Sequence, residues 1–136
     1  MIQAVIWLGS LMMLFIAGLH FYWAMGGEKL SENVLPERPD GGKLFRPSAV
    51  GTFSVGLVLL TVAVSVSAPI FMKGLEVFWI RLAAAVIFFI RFVGDFRYVG
   101  LFKKMKSSGF ARYDTLVYSP LSLFFAVVCF LSVMYF

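Results

Sequence analysis

Four long apolar stretches, separated by polar segments, dominate the pattern of hydrophobic positions along the chain. They predict helices over residues 3–25, 49–72, 77–102 and 116–136. A bilayer core is crossed by about 20 predominantly apolar helical residues, and a helix satisfies its backbone polar groups internally, as lipid requires. The pattern therefore predicts an all-α fold, an integral membrane four-helix bundle in which residues 1–136 form a single transmembrane domain.

The composition supports a lipid environment. Apolar residues make up 61% of the 136 residues and charged residues 14%, whereas a soluble domain is about half apolar and a quarter charged. A soluble fold of this size buries too little of its surface to hide so many apolar side chains. Membrane lipid is therefore the expected partner of the chain.

The chemistry-bearing residues exclude several classes of function. A single cysteine, Cys129, excludes an internal disulfide and a thiolate zinc site. A single histidine, His20, excludes a haem held by two histidines of one chain. The sequence also lacks the glycine-rich motifs that cradle nucleotide phosphates. We therefore predict neither a metal site nor a cofactor.

Most of the net charge of +5 comes from two polar segments, residues 26–48 and 94–115. Cytoplasmic loops of membrane proteins carry an excess of Lys and Arg. Both segments are therefore predicted to be cytoplasmic and both termini outside, in a plasma or inner membrane. The lysine run at 103–106 is predicted to touch anionic lipid headgroups rather than nucleic acid. The nine cations of the two segments are Lys29, Arg38, Lys43, Arg46, Arg97, Lys103, Lys104, Lys106 and Arg112.

The segment 26–48 combines residues that stiffen a backbone with residues that loosen it. Pro36, Pro39 and Pro47 restrict the chain, whereas the pair Gly41–Gly42 does the reverse. A connection of this length is either a flexible linker or a lid, and the sequence leaves both interpretations open.

Polar groups gather where three of the predicted helices reach the cytoplasmic side. Ionisable groups inside a membrane are costly, and they usually mark a pathway, a ligand site or an internal pair. Arg91 and Asp95 are four residues apart, so a helix that continues to Phe102 places them on one face as an ion pair. We predict that one binding site is formed by His20, Trp23, Arg91, Asp95, Arg97, Tyr98, Asp114 and Tyr118.

Such a site suits a small amphipathic or lipid-like ligand. Arg91 or Arg97 can hold an anionic headgroup through forked hydrogen bonds, and Trp23 and Tyr98 can cover an apolar ring or a cation. Histidine is the natural proton carrier among side chains, and with either aspartate His20 can form an acid–base pair. The residues leave the choice between binding and catalysis open.

The same residues also have purely structural interpretations. Arg91 and Asp95 can serve as a structural ion pair, and His20 and Trp23 can anchor the first helix at the headgroups. Arg81, near the start of the third helix, is expected to extend toward the outer surface, with its apolar stem in lipid and its charge in water.

Several short motifs carry a resemblance to a known family. The chain resembles the small bacterial membrane proteins grouped as domain-of-unknown-function family 3995. This resemblance implies a four-helix membrane protein and no established activity. The motifs are residues 20–27 (HFYWAMGG), 91–100 (RFVGDFRYVG), 110–114 (FARYD) and 118–121 (YSPL).

Three functional hypotheses follow. The first is a membrane bundle with a cytoplasm-facing polar pocket for a small amphipathic ligand, with or without His/Asp acid–base chemistry. The second is an accessory or structural subunit of a larger membrane complex. The third is a small transporter that couples to protons as a dimer, although the first span offers only His20 in place of an acidic residue. Homo-oligomerisation stays open.

Overall fold

The computed structural model describes residues 1–67 and 74–136, and within these ranges it is built from four helices. They are α1 (Ile2–Ala24), α2 (Ala49–Ser67), α3 (Leu75–Val93) and α4 (Gly109–Tyr135), and the turn Asp114–Tyr118 of α4 is π-helical. The predicted all-α four-helix bundle is confirmed. The predicted end of the second helix, residues 68–72, lies outside the described residues.

Three of the helices, α1, α2 and α4, are long and apolar enough to cross a membrane. A helix of 19 residues, the length of α2 and α3, extends about 28 Å and so matches the hydrocarbon core. Although α3 has this length, it carries Glu76, Arg81 and Arg91. Large apolar side chains point outward from the bundle, as lipid contact requires; Leu11 and Phe15 are 61% and 65% exposed.

The helices pack mainly as two pairs, α1 with α2 and α3 with α4, and the pairs meet where α1 contacts α4. The pairs approach closely because Gly9 of α1 faces Val128 of α4, and a Cβ at Gly9 would lie 2.6 Å from a valine methyl carbon. Small residues permit such contacts between membrane helices. The shared core consists of Ile6, Met13, Val62, Ala63, Val66, Ala84, Ala85, Phe125, Val128 and Cys129.

The third helix ends at Val93, so the prediction that it continues to Phe102 is wrong. Gly94 follows with φ +86°, a backbone conformation that favours glycine and commonly ends a helix. Residues 94–108 therefore form a loop, and Arg91 lies in the last turn of α3 instead of deep in a longer helix.

The fourth helix begins at Gly109, earlier than the predicted start at 116. Ser108 caps it, because its Oγ accepts a hydrogen bond from the backbone N–H of Ala111 at 3.0 Å. Pro120 lies inside this helix. Proline has no N–H to donate, and the π-helical turn just before it, where Ser119 N–H donates to Asp114 O, widens the helix at this point.

Arg81 is buried between α2, α3 and α4, so the prediction that it reaches the outer surface is wrong; its exposed fraction is 4%. Its Nε donates to the carbonyl oxygen of Ser65 at 2.8 Å, and its Nη2 donates to the same oxygen. Ser65 lies in the last turn of α2 (Ala49–Ser67), where helix carbonyl groups commonly take donors from outside the helix. Arg81 supplies two such donors.

Candidate functional site

Asp114 is the centre of a buried charge cluster where α3 ends and α4 begins, which we call the loop end of the bundle. The Asp114 carboxylate is fully buried, and its Oδ1 accepts a hydrogen bond from Arg91 Nη2 at 2.7 Å. Its Oδ2 accepts from the backbone N–H of Gly100 at 2.8 Å and lies 3.1 Å from Lys103 Nζ. Two cations face one carboxylate, so the cluster carries one surplus positive charge.

Lys103 belongs to the core of this cluster. Its side chain is 1% exposed, and its ammonium group also donates to the Gly100 carbonyl at 3.1 Å and to Thr115 Oγ1 at 2.6 Å. Of the lysine run predicted to touch lipid headgroups, Lys103 is therefore turned inward. Through these contacts the buried ammonium group links the loop to α4.

Gly94 and Gly100 allow the loop to close, so that the Gly100 N–H reaches Asp114. Gly94 and Gly100 have φ values of +86° and +91°, and their backbones pack directly against each other. A Cβ at Gly94 would lie 1.8 Å from the Val99 carbonyl oxygen, and one at Gly100 would lie 2.4 Å from Gly94 Cα. Only glycine fits at these two positions.

Asp95 stabilises the loop through hydrogen bonds from the loop backbone. The predicted ion pair between Arg91 and Asp95 is wrong, because α3 ends at Val93, before Asp95. Asp95 Oδ1 accepts hydrogen bonds from the backbone N–H groups of Arg97, Tyr98 and Val99 at 2.9, 2.7 and 3.0 Å. Desolvation by burial raises the pKa of Asp95, but the backbone donors outweigh it and hold this pKa below its usual range.

The turn at Asp95 is expected to persist until the pH falls below the ordinary carboxyl pKa of about 3.9. A carboxyl whose pKa is lowered in the folded state stabilises that state above its unfolded pKa, and this stabilisation is lost as the pH falls through the folded value. The amide chemical shifts of residues 97–99 should therefore titrate only in this acidic window. A titration midpoint above the ordinary value would contradict the assignment.

A matched pair of variants checks the same turn at neutral pH. Asp95→Ala should remove the hydrogen-exchange protection of the 97–99 amides. Asp40→Ala removes an acceptor of the same kind, because Asp40 Oδ1 accepts from the Gly42 N–H at 2.9 Å, and should affect only the Gly42 amide.

An open depression of about 850 Å³ lies beside this turn. Three cations border it, Arg97, Lys104 and Lys106, and all three are exposed. Arg97 also lies over the ring of Tyr98, 5.1 Å from its centroid. All seven acidic residues are in the described part of the chain, and none forms an ion pair with these three cations. The lining residues, here called the basic depression, are Pro39, Asp95, Phe96, Arg97, Tyr98, Lys104, Met105, Lys106 and Ser107.

Of the other predicted site residues, Tyr118 lies in the same π-helical turn as Asp114, whereas His20 and Trp23 remain apart from the Asp114 cluster. His20 Nδ1 lies 2.8 Å from the Ile16 carbonyl oxygen, and the His20 ring meets Trp23 edge to face at 5.2 Å. Trp23 Nε1 donates to the Lys29 carbonyl at 2.8 Å. Tyr118 stacks on Tyr113, with ring centroids 6.4 Å apart. Among the described residues, no hydrogen bond, ion pair or aromatic contact joins His20 or Trp23 to the Asp114 cluster.

The segment between α1 and α2 folds back on itself beside the depression. Arg38 N–H donates to the Gly42 carbonyl at 2.7 Å, and Leu44 N–H donates to the Pro36 carbonyl at 2.8 Å. Lys43 Nζ pairs with Glu37 Oε1 at 3.1 Å. This turn places Pro39 in the wall of the depression.

Comparison with known proteins places this architecture in a family. A family model, described as a protein of unknown function (DUF3995), matches residues 13–129. The chain belongs to the DUF3995 family. The resemblance inferred from the short motifs is thereby confirmed, and the matched range includes every predicted site residue. No curated protein and no solved structure gives a match.

The 91–100 motif of this DUF3995 protein has a clear structural role. Arg91 and Gly100 hold Asp114, Asp95 caps the turn, and Gly94 closes it. Sequence reasoning missed Lys103, Gly94 and Gly100. A glycine followed by aspartate at a helix end is a turn signal that could have revealed the loop, whereas no local pattern distinguishes Lys103 from the exposed Lys104 beside it.

Proposed function

We propose that this protein binds an anionic, lipid-like amphipath at the basic depression. The observation that carries the proposal is the set of three exposed cations, Arg97, Lys104 and Lys106, around one open concavity. Arginine recognises phosphate and carboxylate through paired N–H donors, and lysine adds a point charge. Apolar side chains, Phe96 and Met105, line the same depression and suit the apolar part of such a ligand.

Binding is favoured over acid–base catalysis because both aspartates near the site are already engaged. Asp114 accepts hydrogen bonds from Arg91 and from the Gly100 N–H and forms an ion pair with Lys103. Asp95 accepts from three backbone N–H groups. A general base works best with a pKa near the operating pH, whereas the pKa of Asp95 is lowered by its backbone donors and the Asp114 carboxylate is fully buried. His20 bonds within its own helix, so an acid–base pair with either aspartate gains no support.

The proposal includes an orientation. Nine of the 12 cations belong to the two segments at the loop end, and the excess of Lys and Arg in cytoplasmic loops favours a cytoplasmic loop end with both termini outside. In that orientation the basic depression faces the inner leaflet, where anionic lipids attract basic segments.

Lipid binding can be tested by native mass spectrometry of the purified protein released from mixed phosphatidylglycerol and phosphatidylcholine. The variant Arg97→Gln/Lys104→Gln/Lys106→Gln should lower the preference for the anionic lipid by about tenfold or more, since each cation near a membrane surface contributes about 1 kcal/mol. The control variant Lys29→Gln/Arg46→Gln/Arg112→Gln removes three other exposed cations and should retain the preference. An equal loss in both variants, or no loss in the first, would refute the proposal.

A further inference from the structure

Three large apolar side chains of the 94–108 loop point outward. Phe96, Leu101 and Phe102 are 57%, 44% and 58% exposed, and the rings of Phe96 and Phe102 stack with centroids 6.4 Å apart. Burying one such side chain gains about 1.5–3 kcal/mol. An aromatic pair held together at the surface therefore indicates a contact outside the chain itself.

The backbone is constrained to present this pair. Phe96 has φ +63°, a conformation uncommon for a residue with a side chain. Its two neighbours hold it there, because the Arg97 N–H donates a hydrogen bond to Asp95 Oδ1 across it. On the far side of the turn, Leu101 N–H donates to the Phe92 carbonyl at 2.8 Å, which fixes Leu101 beside the end of α3.

The charges near the aromatic pair fit one kind of surface. Arg97 follows Phe96 directly, and Lys104 lies two residues after Phe102. Aromatic side chains beside basic ones are typical of segments that lie in the headgroup layer, with rings toward the acyl chains and cations at the phosphates. Both ends of the loop join helices of the bundle, at Val93 and Gly109, so the loop stays next to the bilayer that the helices cross.

We infer that the 94–108 loop inserts Phe96, Leu101 and Phe102 into the lipid interface, and that the anion in the basic depression is the headgroup of a phospholipid from the adjacent leaflet. This inference rests on the proposed function and names its ligand as an anionic glycerophospholipid. The phosphate of such a lipid reaches Arg97 and Lys104, while the aromatic pair contacts its acyl chains.

Paramagnetic broadening in bicelles tests the insertion with the wild-type protein. A phospholipid that carries a nitroxide near the top of its acyl chain should broaden the amide signals of residues 96, 101 and 102. A water-soluble gadolinium chelate should broaden them little. The Gly41 and Gly42 amides, in the polar turn between α1 and α2, should behave in the opposite way. Broadening of residues 96 and 102 by gadolinium to the same extent as the two glycines would overturn the insertion.

A second measurement distinguishes lipid from a free phosphate. Phe96→Ser/Phe102→Ser should weaken binding of phosphatidylglycerol by about tenfold or more and leave binding of glycerol phosphate unchanged, because only the lipid contacts the rings. If glycerol phosphate binds as tightly as the lipid, the ligand is a soluble anion, and both the inference and the lipid-like ligand of the proposed function fail. If the serine variant binds phosphatidylglycerol as tightly as the wild type while the triple glutamine variant loses its lipid preference, the inference fails and the proposed function stands. If the loop inserts but the triple glutamine variant keeps its lipid preference, the proposed function fails instead.

Discussion

Replacing Asp114 with alanine is expected to lower the free energy of unfolding in detergent micelles by about 3–5 kcal/mol, the range for removing one partner of a buried ion pair. The carboxylate is fully buried, and Lys103, 1% exposed, loses the counter-ion 3.1 Å from its ammonium nitrogen. The Gly100 N–H also loses its acceptor. Arg91, whose side chain is 33% exposed, can turn toward water, so most of the loss arises at Lys103.

A second substitution should separate this electrostatic cause from a general packing defect. Lys103→Met in the Asp114→Ala background removes the cation that has no counter-ion, and part of the lost stability should return. Glu28→Ala removes an exposed carboxylate and should change the unfolding free energy by less than about 0.5 kcal/mol. An Asp114→Ala protein as stable as the Glu28→Ala protein would show that the buried cluster does not support the fold.

Replacing Arg81 with methionine is expected to lower the unfolding free energy by about 2 kcal/mol. The Ser65 carbonyl loses both arginine donors, and the Ser132 carbonyl loses a longer bond of 3.5 Å. A buried carbonyl without a donor costs about 1–3 kcal/mol. Removing a buried charge gives some of this back, so the expected loss lies within that range.

A matched control makes this prediction specific. Arg38→Met removes an exposed arginine whose Nη2 donates to the Leu44 carbonyl at 3.5 Å, and should change the unfolding free energy by less than about 0.5 kcal/mol. Unfolding by denaturant in the same detergent measures both variants and the wild type. An Arg81→Met protein as stable as the Arg38→Met protein would contradict a stabilising contact between Arg81 and the Ser65 carbonyl.

The architecture was predictable from the sequence because lipid imposes it. Uncharged apolar stretches such as residues 49–67 have the length that a bilayer requires, and this relation does not depend on tertiary contacts. Helix ends were less predictable. Gly94 ends α3 although apolar residues continue to Phe102, and Ser108 starts α4 although residues 109–115 are polar enough to read as a loop. In both cases a single boundary residue, and not the hydropathy of its neighbours, determines where the helix ends or begins.

The charge pairs were not predictable because their partners are distant in sequence. Arg91 pairs with Asp114, 23 residues away, whereas helical spacing favours Asp95. Arg81 bonds to carbonyl oxygens 16 and 51 residues away. Backbone acceptors leave no trace in the identity of a residue, so the sequence does not reveal these two partners of Arg81.

The predicted single site thus separates into two groups with different roles. Arg91 and Asp114, joined by Lys103, tie α3 and the loop to α4. Asp95, Arg97 and Tyr98 shape the basic depression. The first group can be tested by stability and the second by ligand binding, so the two sets of variants should have different effects.

The contact between Arg97 and a lipid phosphate tests the proposed function most directly. Solid-state NMR of the protein in phosphatidylglycerol bilayers, with labelled arginine, can measure dephasing of the Arg97 guanidinium carbon by lipid phosphorus. We expect strong dephasing at Arg97 and little at Arg81, which is buried among helices. Equal, weak dephasing at both arginines would contradict binding of an anionic lipid at the basic depression.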